Sequence, residues 1–159
     1  MPRLIYIETS VPSFYFDTRT AVELHARRNW TRRWWDNLPD DDQRVTSAVV
    51  LEELERAPDP KRSQCLGLIS ALPLLPYTAE VAEIVATYHR NKVMPVEASA
   101  DADHLALATF HKCDILVTWN CHHIANANKF PHIRRINAML GCATPQLITP
   151  LELLDDETD

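Results

Sequence analysis

Glu8, Glu53 and Asp101 each stand beside a short apolar run, where a folded chain would bring acids to one edge. Glu8 closes Leu4-Ile5-Tyr6-Ile7. Glu53 falls in the second turn of a helix that follows Arg44-Val45-Thr46, and Asp101 in the first turn of a helix preceding Asp114-Ile115-Leu116-Val117-Thr118. Thr118 and Asn120 end that last run, with Cys121, His122 and His123 behind them. Two carboxylates about 4 Å apart repel by about 4 kcal/mol at an effective dielectric near 20. A divalent cation relieves that repulsion, and hard oxygen ligands favour Mg²⁺ or Mn²⁺. A cation held this way activates water and stabilises charge on a phosphodiester in transition. Each residue also has a plainer use. Glu8 can cap a helix begun at Pro12, Glu53 can be a surface residue, and Asp101 an acid favoured by the helix dipole. Thr118 can satisfy strand-end backbone groups, and Asn120 can be a turn residue.

The elements that must position these residues alternate. Leu4–Ile7, Arg44–Thr46, Asp114–Thr118 and Gln146–Thr149 read as short buried strands, with Leu74-Leu75 as a brief further one. Helices are expected from about Pro12, over Ala21–Leu38, after Ser47, from Lys61 to about Leu72, after Thr78, from Ser99 or Asp101, and from Ile133 to Leu140. Ser47 and Thr78 are candidate N-caps, and Gly141 a left-handed C-cap. In Ala21–Leu38, Val22, Leu24, Trp30, Trp34 and Leu38 are assigned to one apolar face. Strands alternating with helices imply an α/β fold with a short, mostly parallel central sheet covered on both faces. In such sheets the site lies beyond the carboxyl ends of the strands. The 159 residues are expected to form one domain, with an acidic tail from about Asp155.

Composition removes several alternatives. Gly67 and Gly141 are the only glycines, so neither a Walker loop nor a dinucleotide fingerprint can be written. Cys65, Cys113, Cys121 and Cys142 form no C-x-x-C pair and follow no export signal, which points to free thiols in a reducing cytoplasm. No apolar run reaches the roughly 18 residues of a membrane span. The net charge of −6 argues against generic nucleic-acid affinity, and Asp40-Asp41-Asp42 reads as a solvated knot. Positive charge gathers instead at Arg27, Arg28, Arg32 and Arg33, interleaved with Trp30, Trp34 and Trp35. That stretch suits RNA or a partner surface, or simply an amphipathic helix with arginines outward. Cys121, His122, His123 and His132 fit no closed zinc pattern. His104 is expected as a packed, hydrogen-bonded residue.

Four blocks carry a resemblance to a known family: Tyr6-Ile7-Glu8-Thr9-Ser10-Val11, Thr46 to Leu54, Asp101-Ala102-Asp103-His104-Leu105-Ala106-Leu107-Ala108, and Leu116-Val117-Thr118-Trp119-Asn120. In this order the chain resembles PIN-domain proteins, especially the VapC toxins of bacterial toxin–antitoxin pairs. The resemblance implies a three-layer α/β/α sandwich and a metal-dependent ribonuclease. It implies Glu8, Glu53 and Asp101 as Mg²⁺ or Mn²⁺ ligands, with Thr118 and Asn120 orienting the site. Glu52 is the alternative to Glu53, and Asp103 to Asp101. It further implies a homodimer and a small antitoxin partner. The chain departs from the family pattern in two places: Glu8 stands where Asp is usual, and Asn120 where an acid is usual. That leaves open one metal or two, and keeps two rivals: an inactive PIN-fold binding module and a structure-specific DNA nuclease.

Overall fold

The computed structural model describes residues 2–154; the acidic tail lies outside the described residues. Along the chain run β1 (Leu4–Ile7), α1 (Ser10–Tyr15), α2 (Val22–Asp36), β2 (Gln43–Val45), α3 (Ala48–Glu55), α4 (Lys61–Ile69) and α5 (Ala79–Arg90). A single 3₁₀ turn (Val96–Ala98) leads into α6 (Ser99–Phe110), β3 (Ile115–Val117), α7 (Phe130–Met139), β4 (Gln146–Ile148) and α8 (Pro150–Leu153). The four strands pair in the order β2-β1-β3-β4, every pair parallel. The sheet expected as mostly parallel is wholly so among the described residues.

Side-chain alternation divides the interior into two layers. Ile5, Ile7, Ile115 and Val117 face one side, against Val11 of α1 and Trp34 of α2. Tyr6, Val45, Leu116 and Leu147 face the other, against Val50 and Leu54 of α3, Leu105 of α6 and Ile133 of α7. Both faces are covered, which is why the strands read as unbroken apolar runs. This is the α/β/α sandwich expected of a PIN-like fold.

Strand order sets the location of the site. The chain leaves β1 towards β2 on one side and leaves β3 towards β4 on the other, although β1 and β3 are neighbours. The connections therefore diverge between the carboxyl ends of β1 and β3, and the crevice this opens is where open α/β sheets take their ligands. Glu8 follows β1 and Thr118 follows β3, so both stand at its mouth.

Some local expectations change. Leu74 makes a single bridge to Thr46 instead of a strand, because Pro73 and Pro76 on either side lack N–H donors for a ladder. Val22 is 86% exposed, not on the apolar face. At about 100° per residue it lies about 120° round the helix from Trp34, which with Thr31 defines the inward side. Asp42 is no solvated acid: its carboxylate takes the backbone N–H of Arg3 at 3.0 Å and the Arg3 guanidinium as well. Thr78 caps α5 through Val81 N–H, and Gly141, at φ 74°, ends α7 in the left-handed region as expected. The terminal turn after Pro150 is a short helix closed by a Thr149–Glu152 capping box.

Candidate metal centre

Glu8 continues β1 by one residue, its backbone N–H reaching Val117 O at 3.3 Å. Alternation puts its side chain on the same face as Tyr6, and only 5% of the residue is exposed. One carboxylate oxygen, Oε1, accepts from Ser10 N–H at 3.0 Å and Thr118 Oγ1 at 2.6 Å, and from the Ser10 hydroxyl. Ser10 in turn accepts Trp119 N–H at 2.8 Å, while Thr118 Oγ1 accepts Asn120 N–H at 2.9 Å. The ends of β1 and β3 are thus stitched together through one carboxylate oxygen. The other, Oε2, makes no hydrogen bond among the described residues and lies 4.0 Å from His104 Nε2.

Glu53 arrives from α3, whose inward positions are Val50 and Leu54. Its neighbour Glu52 is exposed. Glu53 Oε1 accepts from Thr9 Oγ1 at 2.6 Å and from His104 Nε2–H at 2.6 Å. Its Oε2 makes no hydrogen bond among the described residues. Ser47 sits at the α3 N-cap position but makes no capping bond; its hydroxyl lies 2.7 Å from Tyr6 OH instead.

His104 joins these parts. It has no exposed surface, and Tyr6 OH lies 2.8 Å from its Nδ1. A carboxylate only accepts, so the bond to Glu53 fixes a proton on Nε2. Burial is the largest influence on His104 and opposes its charge. The Glu53 hydrogen bond and the charges of Glu8, Glu53 and Asp101 together outweigh it, so its pKa is raised. Burial likewise pushes Glu53 up, but His104 and Thr9 overcome it and the carboxyl is lowered. Both directions describe one ionised pair. Tyr6, with its pKa raised well above the usual phenol chiefly by burial, remains a neutral hydroxyl in the chain Ser47–Tyr6–His104–Glu53–Thr9.

One ligand atom from each of Glu8, Glu53 and His104 lies within 4.8 Å of the other two, a spacing that a single cation can span. Each carboxylate has one oxygen committed to hydroxyl and imidazole donors and one without a hydrogen bond. Few carboxylates with room for water suit Mg²⁺ or Mn²⁺. For His104 to become a ligand, it would have to surrender the Nε2 proton that holds Glu53. Its geometry suits the donor that orients a ligand better than a ligand itself.

Asp101 is half-buried in the first turn of α6 and is not among the three residues that converge. Its charge acts on His104, and also on His123 and Lys129. Burial, the largest cause, lowers the pKa of both His123 and Lys129. Asp103 is engaged elsewhere, accepting Tyr77 OH at 2.7 Å. Asn120 is engaged within its own turn: its Oδ1 accepts the backbone N–H groups of His122 at 3.2 Å and His123 at 3.0 Å. The plain turn role is the one its side chain performs here.

The four arginines of α2 separate by what they touch. Arg32 donates from Nε to Tyr15 O at 2.7 Å and lies over the Tyr15 ring. Arg33 is exposed. Arg28 Nε is buried without an acceptor, and its Nη2 reaches Asn29 Oδ1 at 3.4 Å. Arg27 lies over Phe14 and Trp119.

Sequence reasoning named Thr9 and Ser10 only within the first resembling block and gave them no role, and it did not place His104, Tyr6 and Ser47 at the carboxylates. The signal for Thr9 and Ser10 was adjacency to Glu8. For His104 it was the three-residue step from Asp101, one helical turn. Nothing in the sequence announces Tyr6 or Ser47.

No family model matches the chain, and no curated protein does either. Among solved structures, it is similar to a chain of VapBC2 from Rickettsia felis, whose crystal structure is bound to a DNA fragment from their promoter. The likeness covers 92% of this chain and 96% of that one, with a TM-score of 0.52 and 14% identity. At that identity the likeness concerns the fold, and it agrees with the VapC-like PIN resemblance of the four sequence blocks.

Proposed function

We propose that this PIN-like chain is a metal-dependent endoribonuclease, the toxin of a toxin–antitoxin pair. The observation that carries the reading is the pair Glu8 and Glu53 at the switch point between β1 and β3, each with one oxygen fixed and one free of hydrogen bonds. Structural carboxylates are normally consumed by their partners; these two are oriented and left half unspent. Glu8 and Glu53, with Asp101 on α6, are the residues that would hold Mg²⁺ or Mn²⁺. A divalent cation there supplies Lewis-acid polarisation of a phosphodiester oxygen and acidifies a water molecule.

The chain's own residues do the remainder. Thr118 and Ser10 fix Glu8, Thr9 and His104 fix Glu53, and Asn120 shapes the turn that follows Thr118 and Trp119. The ion pair with His104 keeps Glu53 ionised in a partly buried setting. A homodimer and a small antitoxin belong to the same reading. So does a reducing cytoplasm, in keeping with the buried free thiols of Cys65 and Cys113. No helix of the described residues is long and apolar enough to cross a membrane.

The deciding experiment incubates purified protein with single-stranded and structured RNA, and with DNA of matching sequence, in Mg²⁺, Mn²⁺ or EDTA. Internal cleavage of RNA in either cation, abolished by EDTA, is the expected outcome. Cleavage of DNA alone would replace the reading with that of a DNA nuclease. RNA binding without cleavage in any cation would leave a binding module.

A further inference from the structure

Of the four arginines on α2, one is oriented without being spent. The Arg27 guanidinium carbon lies 5.1 Å from the Trp119 ring centroid and 5.7 Å from that of Phe14. Among the described residues its guanidinium has no hydrogen-bond acceptor and no ion-pair partner. Cation–π contact holds a guanidinium by its charge and its faces and leaves the N–H donors, which lie in its plane, available. Arg19 shows the contrast. It too lies 5.7 Å from the Phe14 centroid, but its donors go to Asp17.

The two rings that hold Arg27 belong to the segments that hold Glu8. Phe14 lies four residues after Ser10 on α1, hence on the same side of that helix. Trp119 follows Thr118, and its backbone N–H donates to Ser10 Oγ. The Trp119 indole is itself immobilised. Its Nε1–H donates to Thr31 Oγ1 at 2.7 Å, and Trp30 stacks on it at 6.2 Å with 26° between planes. Its residual exposure is 6%, so it serves as a platform for Arg27, not as an open face for a base.

Resting on the nuclease reading above, we infer that Arg27 binds a phosphate of the RNA strand next to the one being cleaved. An RNA strand entering a centre with two carboxylates brings like charge to like charge, in a chain whose net charge is already −6. A guanidinium seated on Trp119, whose backbone N–H bonds the Ser10 that holds Glu8, supplies the missing counter-charge. Its planar fork of donors matches two phosphate oxygens at once. An acidic protein segment would also find this cation, but only a polyphosphate must lie beside Glu8 and Glu53 to react.

The test uses Arg27→Met, which keeps an aliphatic stem on the two rings, Arg27→Lys, which keeps the charge without the fork, and Arg33→Met as an exposed control on the same helix. Labelled oligouridylate binding is read by fluorescence anisotropy in EDTA across a salt series, and cleavage kinetics in Mn²⁺. Arg27→Met is expected to weaken binding about tenfold and to raise KM with kcat nearly unchanged. The slope of log K against log salt should fall by about 0.7, the share of one contact to a single strand. Arg27→Lys should recover most of the slope but only part of the affinity, and Arg33→Met should leave both alone. An unchanged slope and KM in a folded Arg27→Met protein overturns the inference. So does Arg27-dependent binding of a hexaglutamate peptide with RNA binding unaffected. If the wild-type protein binds oligouridylate through Arg27 but cleaves nothing, the nuclease reading falls and the phosphate site stands. If it cleaves RNA independently of Arg27, the reverse holds.

Discussion

The two ends of the parallel sheet treat their carboxylates in opposite ways. At the amino edge, Asp42 is 4% exposed at its side chain and is taken up by Arg3, through the guanidinium and the backbone N–H. Asp114 there accepts Leu4 N–H at 2.8 Å. At the carboxyl edge, Glu8 and Glu53 meet no arginine or lysine at salt-bridge distance among the described residues. Hydroxyls and one imidazole secure a single oxygen of each. The first arrangement joins the start of β1 to the loop before β2, and the Arg3 hydrogen bonds lower the Asp42 carboxyl. The second keeps negative charge concentrated and oriented. On the function proposed above, the difference separates acids that serve folding from acids kept for a ligand.

The largest expected effect tests the carboxyl edge. Glu8→Gln and Glu53→Gln should each reduce RNA cleavage on the order of 10²–10³-fold, the scale at which removing one oriented electrostatic group from a site is felt. Thermal stability should change far less than activity. A Glu53→Gln protein that cleaves RNA at the wild-type rate would remove that residue from the chemistry. The mirror experiment is Asp42→Asn. It removes the carboxylate charge that Arg3, 41% exposed at its side chain, meets there, and should cost about 1–3 kcal/mol in a denaturant titration. Activity per folded molecule should be unchanged. If Asp42→Asn instead lowered kcat with stability intact, the division between the two edges would fail.

Acidity should sharpen the same contrast. Asp42 and Glu53 both have lowered pKa values, so each contributes stability above its ordinary carboxylate range and loses it as pH falls through the lowered value. His104 has a raised pKa. Its contribution is complete below the ordinary histidine value of 6.5 and is lost as pH rises through the raised value. The alkaline decline belongs to the carboxyl edge, the acid decline to both. Melting temperatures measured in EDTA should therefore fall as pH climbs above about 6.5, and Glu53→Gln should flatten that limb. An alkaline limb that persists in Glu53→Gln would show that the His104–Glu53 pair is not its source.

Much of this framework is legible in the chain because strands buried on both faces must be apolar and uninterrupted. Ile5, Tyr6 and Ile7 announce β1, and Ile115–Val117 announces β3, although their alternate side chains go to different layers. Local rules fail where a tertiary partner outbids them. Ser47 is a good N-cap residue, yet its hydroxyl goes to Tyr6, which is 41 positions away. Asp42 looks like part of a solvated acidic knot until the fold brings Arg3 to it. At the site, Glu8 and Glu53 are placed by strand ends and helix phase, which sequence conveys. The hydroxyl and imidazole shell depends on β1, α3 and α6 meeting, which no local pattern encodes.

The smallest expected effect concerns Asn120, the amide that stands where the resembled family carries an acid. If the missing carboxylate were the reason for a single metal, restoring it should recruit a second. The geometry argues otherwise. Asn120 Oδ1 is already occupied by the backbone N–H groups of His122 and His123. An aspartate oxygen can accept the same two bonds, so Asn120→Asp should keep the turn and stay engaged with it. Stability should shift by less than about 0.5 kcal/mol, as for substitutions that preserve their hydrogen bonds. Mn²⁺ stoichiometry from calorimetric titration should remain that of the wild type, with cleavage changed by less than about threefold, under 1 kcal/mol at roughly 1.4 kcal/mol per decade. An additional Mn²⁺ equivalent in Asn120→Asp would show that this loop turns its carboxylate into the crevice when one is present. The carboxyl edge would then extend across β3 to the turn itself.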